Sequence, residues 1–300
     1  ISTYNFLRQK AKVNLFDDNP KNNFRFDKKN LSFAKILQSF FDFIIISPGI
    51  DVSKCKLSKY LKQNSFKVYT DLDVFCTFFS NESVTITGTN GKSTTAKLLY
   101  DVLRDQKKDV RLVGNIGNPI LLEKNLTNKT IFVIEASSYQ LDYSKIFKSN
   151  IAVILNISPD HLERHKTLKN YIKAKFKLIN NQTKKDIAIL NINNNFIKNH
   201  IKNKKYLSKI IKINGKVKST TLNKINNPYF KTDANKENLS FILEIIKLFK
   251  IKQKNIFNIL KNYKGLKYRQ QIIYKSKNLT IINDSKATSF ASSLSILKSL

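Results

Sequence analysis

Short apolar runs alternate along the chain with segments whose apolar positions recur every three or four residues. The runs predict β-strands at residues 12–16, 43–47, 84–87, 131–135, 151–156, 186–191 and 279–283. Several runs are continuously apolar, as in strands that are buried on both faces of a parallel sheet. Because helical segments lie between many of them, the pattern predicts an α/β fold with doubly wound, mostly parallel sheets.

Polar residues gather where several of these runs end, and ligands of parallel sheets bind beyond the carboxyl ends of the strands. The clusters are Asp17 with Asp18, and residues 47–49, 88–93, 135–140, 156–161 and 284–286. Their repeated placement predicts one crevice that is lined by side chains from distant parts of the chain.

The segment 84–95 reads V-T-I-T-G-T-N-G-K-S-T-T and predicts a strand, a glycine-containing loop and a helix. The helix is supported by apolar positions at helical spacing: Leu98, Leu99, Val102 and Leu103. Glycine lets backbone N–H groups turn toward phosphate oxygens, and the helix N-terminus adds partial positive charge. The segment therefore predicts a phosphate-binding loop for ATP.

Within this loop the side chains have separate expected roles. Lys92 is placed to reach the β- and γ-phosphates, and Ser93 or Thr94 to hold Mg²⁺. Two residues separate the glycines, whereas the common form of the loop has four. The residues expected around the nucleotide are Gly88, Thr89, Asn90, Gly91, Lys92, Ser93, Thr94 and Thr95.

Two further segments supply candidate metal ligands. Glu135 ends an apolar run, where a carboxylate oxygen suits Mg²⁺. Pro159 keeps the chain extended before Asp160 and His161, at the end of another predicted strand. A neutral imidazole can bind a metal. A lone carboxylate or imidazole is often structural, but here both follow strands of one predicted sheet.

Lys175 lies on the inward stripe of a predicted amphipathic helix. The stripe consists of Leu168, Ile172, Lys175 and Ile179. A lysine there either extends its amine to solvent or stays buried with a partner. Burial lowers the pKa of a lysine, and a neutral amine can add CO₂ to form a carbamate, which is an acidic metal ligand. The spacing alone leaves both alternatives open.

The charge of the chain suggests a nucleic-acid partner, but its composition argues against one. The chain has 54 Lys and Arg against 21 Asp and Glu, a net charge of +33. Only six of these residues are Arg, the side chain that nucleic-acid readers favour for bidentate contacts. Elsewhere Lys accompanies Asn and Ile, as in 191–205, which is typical of biased codon usage on a solvated surface. We therefore expect no nucleic-acid partner.

Hydrophobic runs and cysteines indicate the compartment. No apolar run approaches the roughly 18 residues that a membrane span needs, so no membrane insertion is expected. Two cysteines are too few for a disulfide framework or a zinc site. We expect Cys55 and Cys76 to be buried thiols in a reducing cytoplasm.

Several segments together resemble the Mur ligases and, within that family, the branch that adds D-glutamate. They are SPGI at 47–50, TGTNGKST at 87–94, GNIGNP at 114–119, EASSYQL at 135–141, LNISPDHLER at 155–164 and NDSKAT at 283–288. SSYQL and NDSKAT are typical of the D-glutamate branch, whereas folylpolyglutamate synthases share the short loop. The resemblance covers essentially the whole chain.

The resemblance implies a three-domain architecture of α/β type. Residues 1–79 correspond to a clipped N-terminal UDP-substrate domain, 80–265 to the central ATPase domain, and 266–300 to the start of a C-terminal amino-acid-binding domain. The chain contains no Met, so we expect residue 1 to lie inside a longer protein. Most of the D-glutamate site is then expected beyond residue 300, and the chain alone is not expected to be a competent ligase.

The resemblance also implies roles for individual residues. Two Mg²⁺ ions are expected among Ser93, Glu135, His161 and a carbamylated Lys175, and the residues expected to act in catalysis are Lys92, His161 and Lys175. The expected nucleotide contacts beyond the loop are Asn235, Asn238, Arg269, Asp284 and Lys286. The expected UDP-sugar contacts are Asp17, Asp18, Ser47, Asn115 and Ser137. Ala234 and Tyr268 stand where the family commonly has His, which weakens the expectation for the adenine and ribose contacts.

The implied activity is ATP-dependent addition of D-glutamate to UDP-N-acetylmuramoyl-L-alanine in peptidoglycan precursor synthesis. We expect an acyl-phosphate intermediate and a monomeric, cytoplasmic enzyme. The nearest alternative is another Mur-type or folylpolyglutamate-type amide ligase. A basic NTPase acting on nucleic acid and a paralogue that only binds nucleotide are the others. The presence of Lys92, Glu135, His161 and Lys175 argues against the last of these.

Overall fold

The computed structural model describes residues 1–17, 19, 30–269 and 271–286. Its strands are β1 (Ile44–Ile45), β2 (Val68–Tyr69), β3 (Ser83–Thr87), β4 (Val110–Gly114), β5 (Ile131–Glu135), β6 (Ile151–Ile154), β7 (Ile187–Asn191), β8 (Lys209–Ile213), β9 (Gln271–Lys275) and β10 (Thr280–Asn283). Strands β3 to β8 form one parallel sheet in the order β4–β5–β3–β6–β7–β8. β1 and β2 form a separate parallel pair, and β9 and β10 an antiparallel one.

The helices connect these strands and cover the large sheet. They are α1 (Ser2–Leu7), α2 (Phe33–Gln38), α3 (Ser58–Gln63), α4 (Asp71–Phe78), α5 (Lys92–Asp105), α6 (Ser138–Tyr143), α7 (Leu162–His165), α8 (Leu168–Asn180), α9 (Asn195–Ile201), α10 (Ser219–Ile225), α11 (Asp233–Leu248) and α12 (Phe257–Lys261). In the part of the chain that the structure describes, none of them is long and apolar enough to cross a membrane.

The large sheet buries both of its faces, which explains its continuous apolar strands. On β5, Ile131 and Val133 face a cluster with residues of α5 and α11. Phe132 and Ile134 face the opposite cluster, with residues of α4, α6 and α8. Successive residues of a strand point to opposite faces, so both sets must be apolar. The predicted doubly wound α/β class is confirmed.

The order of the strands places a crevice beside β3. The first strand of the sheet is β3, and the next strand, β4, lies at one edge. β5 then lies between β4 and β3. The chain then crosses to β6 and continues outward through β7 and β8. The strand order therefore reverses around β3, and such a switch point opens a crevice at the carboxyl ends of the strands.

The strand predictions succeed for the interior of the sheet and fail at its edges. The predicted strand at 12–16 is wrong, because that segment forms only a single bridge between Leu15 and Asn30. Strands β2, β4, β8 and β9 were not predicted. β4 and β8 are the two edge strands, and Lys209 and Lys212 of β8 are exposed. Half-exposed edges admit charged residues, which interrupt the apolar run that marks an interior strand.

The helix predictions at the phosphate loop and at Lys175 are confirmed, but the prediction for the cysteines is wrong. All four apolar positions predicted for α5 are fully buried: Leu98, Leu99, Val102 and Leu103. Cys55 and Cys76 are each partly exposed rather than buried. Both lie at the margins of apolar clusters, where a neighbouring segment covers only one side of the thiol.

Asp73 ties α4 to the chain that leads into β6. One carboxylate oxygen accepts hydrogen bonds from Ser144 Oγ and from the backbone N–H groups of residues 145, 146 and 147, at 2.8–3.0 Å. The other accepts from the backbone and hydroxyl of Thr70 at 2.9 and 3.1 Å, which closes a capping box. The side chain is 1% exposed, so this single carboxylate satisfies a whole buried turn.

We predict that Asp73→Asn lowers the free energy of unfolding by about 2–4 kcal/mol, because the amide nitrogen must face buried N–H donors. Urea unfolding measures this loss. Asp105→Asn, at an exposed carboxylate near the end of α5, is the matched control and should stay within about 0.5 kcal/mol of the unsubstituted protein. An Asp73→Asn variant as stable as this control would contradict the prediction.

Candidate functional site

The predicted phosphate loop lies at the carboxyl end of β3, in the crevice beside the switch point. Gly91 has a φ of +82° and precedes the first residue of α5. A Cβ atom built on Gly91 would lie 2.3 Å from Asn238 Oδ1. Only glycine therefore fits there, for both steric and conformational reasons. The turn aims the unpaired N–H groups at the start of α5 into the crevice.

Thr89 fixes the middle of the loop against the next strand and against α8. Its hydroxyl donates to the carbonyl of Ser158 at 3.2 Å and accepts from the N–H of Ser158 at 3.0 Å. It also lies 3.1 Å from the hydroxyl of Tyr171. Tyr171 is buried, and burial raises the pKa of its phenol, which stays neutral. Two neutral side-chain hydroxyl groups thus hold this part of the loop in place.

Two lysines donate to carbonyl oxygens of the loop. Lys92 Nζ donates to the carbonyl of Thr89, and Lys175 Nζ donates to the carbonyl of Gly88, each at 2.8 Å. Lys175 is 1% exposed, and its amine lies 4.6 Å from the centre of the Tyr171 ring. The predicted helix stripe therefore leads to a buried amine, and the alternative in which the amine reaches solvent is wrong.

The buried position of Lys175 has an electrostatic consequence. Burial lowers the pKa of Lys175 well below its usual value, and the neighbouring charge of Lys92 lowers it further. The carboxylates of Asp160 and Glu135 oppose this lowering. Burial also lowers the pKa of Lys92, again against Glu135 and Asp160. The site thus places two lysine amines with lowered pKa values within electrostatic reach of two carboxylates.

Glu135 presents an oxygen atom that lacks a partner. The residue ends β5 and is 1% exposed. Its Oε1 accepts from Asn115 Nδ2 at 2.9 Å, whereas its buried Oε2 has no hydrogen-bond partner among the described residues. A buried carboxylate oxygen without a donor is costly, and a hard cation such as Mg²⁺ is the ligand that suits it.

His161 reaches the crevice from a left-handed backbone conformation, with a φ of +54°. Its imidazole lies 3.5 Å from a carboxylate oxygen of Asp160 and 3.7 Å from one of Glu163. Nowhere in the described ranges do three His, Cys, Asp or Glu side chains form a group that could hold a metal. A metal site in this crevice must therefore also use other donors, such as the buried hydroxyl of Ser93.

The predicted nucleotide contacts are brought together in part. Asn235 Nδ2 donates to the carbonyl of Tyr229 at 2.9 Å, and the Thr94 hydroxyl hydrogen-bonds to the Tyr229 side chain. Arg269 lies close enough to Lys92 to lower its pKa. The other predicted nucleotide contacts have structural partners or lie farther along the chain. Asn238 packs on Gly91, and Thr95 is buried in the first turn of α5. Asp284 and Lys286 follow β10, and Lys286 contacts Tyr268.

The predicted UDP-sugar contacts are more scattered. Asp17 and Ser47 are exposed, and Asp18 lies outside the described residues. Asn115 holds Glu135, as stated above. Ser137 caps α6, accepting from the N–H of Gln140 at 3.2 Å, so its hydroxyl already has a structural role.

Two residues near the site were not predicted as site residues. Tyr171 lies four residues before Lys175, and this spacing on one helix face was the available signal. Arg164 donates to the carbonyls of Gly49, at 3.5 Å, and Ile50, and its guanidinium lies 5.1 Å from the centre of the Tyr139 ring. It joins the turn after β1 to the segment that carries His161, which no local pattern indicates.

Comparisons with known proteins agree on one family. The family model for the Mur ligase middle domain matches residues 86–262. The chain is 31% identical to the UDP-N-acetylmuramoylalanine–D-glutamate ligase of Rickettsia bellii, and 33% identical to that of Buchnera aphidicola. Each match covers 100% of this chain and 72% of the relative. The MurF ligase of Thermotoga maritima in complex with ADP has the same fold, with a TM-score of 0.59 at 14% identity, covering 97% of this chain and 73% of that one.

We predict that Gly91→Ala weakens binding of ADP by about tenfold or more, because a left-handed alanine costs about 1–2 kcal/mol and its methyl group collides with Asn238. Isothermal calorimetry with ADP and Mg²⁺ measures the affinity. Gly49→Ala is the control, since a Cβ there meets nothing within 4 Å. If the two variants bind ADP equally well, the loop does not depend on Gly91.

Proposed function

Because the chain belongs to the Mur ligase family, we propose that it joins D-glutamate to UDP-N-acetylmuramoyl-L-alanine in peptidoglycan precursor synthesis. The enzyme is an amide ligase that uses ATP and releases ADP. The observation that carries the proposal is the cradle around Gly91 and Lys92, together with Glu135, whose charge acts on Lys92 and whose buried Oε2 has no partner among the described residues.

The reaction needs two displacements. A carboxylate oxygen of the UDP-sugar attacks the γ-phosphorus of ATP, the bond to the β–γ bridging oxygen breaks, and ADP leaves. The amine of D-glutamate then attacks the acyl carbon, loses a proton, and expels inorganic phosphate. The protein has to align the reactants and neutralise negative charge as it moves.

The phosphate loop accounts for most of this neutralisation. The N–H groups at the start of α5 would bind phosphate oxygens. Lys92 would exchange its hydrogen bond to the carbonyl of Thr89 for one to the γ-phosphate, because its amine is already in the crevice. Arg269 adds positive charge from the far side of the site.

Mg²⁺, when bound, would supply positive charge that offsets the negative charge of the phosphates and of the attacking carboxylate. We propose that Ser93, Glu135, His161 and a carbamylated Lys175 would hold two such ions. What supports this is the donor chemistry: Glu135 Oε2 lacks a partner, Ser93 is buried beside the loop, and each is an oxygen ligand of the kind that Mg²⁺ prefers.

The carbamate at Lys175 follows from the state of its amine. A lowered pKa leaves a lone pair on Nζ, which can add to CO₂, form an N–C bond and release one proton. The carbamate nitrogen keeps one hydrogen, so the hydrogen bond to the carbonyl of Gly88 can persist. The new negative charge would be offset by Lys92 and by bound cations.

The remaining assignments complete the proposal. Residues 1–79 would bind the UDP-sugar, 80–265 would bind ATP, and 266–300 would begin the amino-acid-binding domain. UDP-sugar contacts are assigned to Asp17, Asp18, Ser47, Asn115 and Ser137, and nucleoside contacts to Asn235, Asn238, Arg269, Asp284 and Lys286. We also propose that the enzyme is a cytoplasmic monomer.

Phosphate release tests the proposed activity. When the full-length protein is supplied with ATP, Mg²⁺ and UDP-N-acetylmuramoyl-L-alanine, we expect release that depends on D-glutamate and not on L-glutamate, glycine, L-alanine or diaminopimelate. Preference for another amino acid would assign the chain to a different amide ligase of the same family. Release with a folate substrate and L-glutamate would favour the folylpolyglutamate-type alternative.

We predict that Lys175→Ala lowers kcat by about 100-fold or more, because the site loses an anion that holds a cation against the phosphates. Acetate or formate should restore part of the rate by occupying the vacated space. Lys173→Ala, at an exposed lysine of the same helix, is the control and should keep full activity. Normal turnover by the Lys175→Ala variant would remove the carbamate from the mechanism.

A further inference from the structure

Asn156 follows β6 at the carboxyl end of the sheet. Both its backbone and its side chain form hydrogen bonds with the phosphate loop. Its carbonyl accepts from the N–H of Thr89 at 2.9 Å. Its side-chain Oδ1 accepts from the N–H of Asn90 at 2.8 Å, and its Nδ2 donates to the carbonyl of Asn90 at 3.3 Å. Two consecutive loop residues are therefore shaped by one asparagine.

The two side-chain hydrogen bonds with Asn90 require one orientation of the Asn156 amide. If the amide turned by 180°, its nitrogen would face the N–H of Asn90 and its oxygen would face the carbonyl of Asn90. Both contacts would then become repulsive, because like groups would meet. The backbone of Asn90 therefore favours one orientation, and a hydrogen-bond acceptor for Nδ2 outside the loop can secure it.

Glu237, in the first half of α11, secures this orientation of the Asn156 amide. Its Oε1 accepts from Asn156 Nδ2 at 2.8 Å. A carboxylate only accepts hydrogen bonds, so it faces the nitrogen of the amide and excludes the flipped form. The side chain of Asn191, at the end of β7, also hydrogen-bonds to Glu237. Burial raises the pKa of Glu237, and these two hydrogen bonds partly offset that rise.

The position of Glu237 on α11 gives the contact a further meaning. Its neighbour Asn238 packs against Gly91, so α11 contacts the loop directly there. Through Asn156, Glu237 also connects α11 to Asn90 of the loop. Asn235, one of the proposed nucleoside contacts, lies on the same helix. α11 thereby fixes the position of the phosphate loop relative to the residues proposed to bind the nucleoside.

We propose that Glu237 is a positioning residue for ATP: it orients Asn156, which in turn fixes the backbone of residues 89 and 90 and so the direction of the N–H groups that follow at the start of α5. The proposal rests on the proposed function in taking the ligand of the loop to be a nucleotide. Glu237 itself points to Asn156 and Asn191 and does not contact the reacting atoms.

The test is Glu237→Gln, which keeps the shape of the side chain but allows it to present a donor to Asn156. We expect the affinity for ADP and Mg²⁺, measured by calorimetry, to fall about tenfold, as for one charge-assisted hydrogen bond. The KM for ATP should rise in parallel, while the KM for the UDP-sugar stays within about twofold, below the effect of one ordinary hydrogen bond. Glu244→Gln on the same helix, at a carboxylate that pairs with Lys247, should leave all three values unchanged.

A double variant separates orientation from general damage. In Glu237→Gln combined with Asn156→Asp, the new amide can donate to the new carboxylate, which still accepts from the N–H of Asn90. The pair keeps one negative charge and the acceptor for the N–H of Asn90, but loses the donor to the carbonyl of Asn90, so part of the lost ADP affinity should return. Recovery supports the positioning role, because a merely structural defect would deepen with a second substitution.

The outcomes are distinct. If the unsubstituted protein binds no ADP, the proposed function fails and this inference falls with it. If that protein binds ADP and Glu237→Gln binds equally well, only the inference is overturned. An affinity loss that the double variant does not reduce, accompanied by a lower melting temperature without nucleotide, also overturns it and makes Glu237 a stability residue.

Discussion

The left-handed turn at Gly91 is the constraint on which the site depends. It takes the chain from the central strand of the sheet into α5 within a few residues, and it brings backbone N–H groups to the switch point of the sheet. Every neighbouring contact is arranged around that turn. Thr89, Asn156 and Asn238 hold it from three sides, so contacts within the protein fix the shape of the cradle.

A second constraint is the balance of buried charge beside the loop. The amine of Lys175 and the free oxygen of Glu135 are both withdrawn from water, and neither is stable there as an isolated ion. The chemistry proposed for the site resolves both difficulties at once. Addition of CO₂ turns the amine into an anion, and bound cations then satisfy this anion and Glu135 together.

The sequence predicts what depends on local order. Apolar periodicity indicated the interior strands and the inward helix stripe on which Lys175 lies, and the spacing of Gly88 and Gly91 indicated the loop. The burial of the Lys175 amine itself was left open by the spacing and is shown by the structure. The edge strands β4 and β8 were not predicted, because half-exposed strands carry charged residues that interrupt the apolar run. The link between Asn156 and Glu237 escaped because 81 residues separate them, and only the packing of α11 on the sheet brings them together.

The contacts of Arg164 show how two parts of the chain remain joined. Its guanidinium donates to carbonyl oxygens of residues 49 and 50 and to no side chain of that turn. Carbonyl groups are the same in every amino acid, so mutations can alter the turn's side chains while this attachment survives. Changes in the side chains of this turn therefore leave it joined to the segment that carries His161.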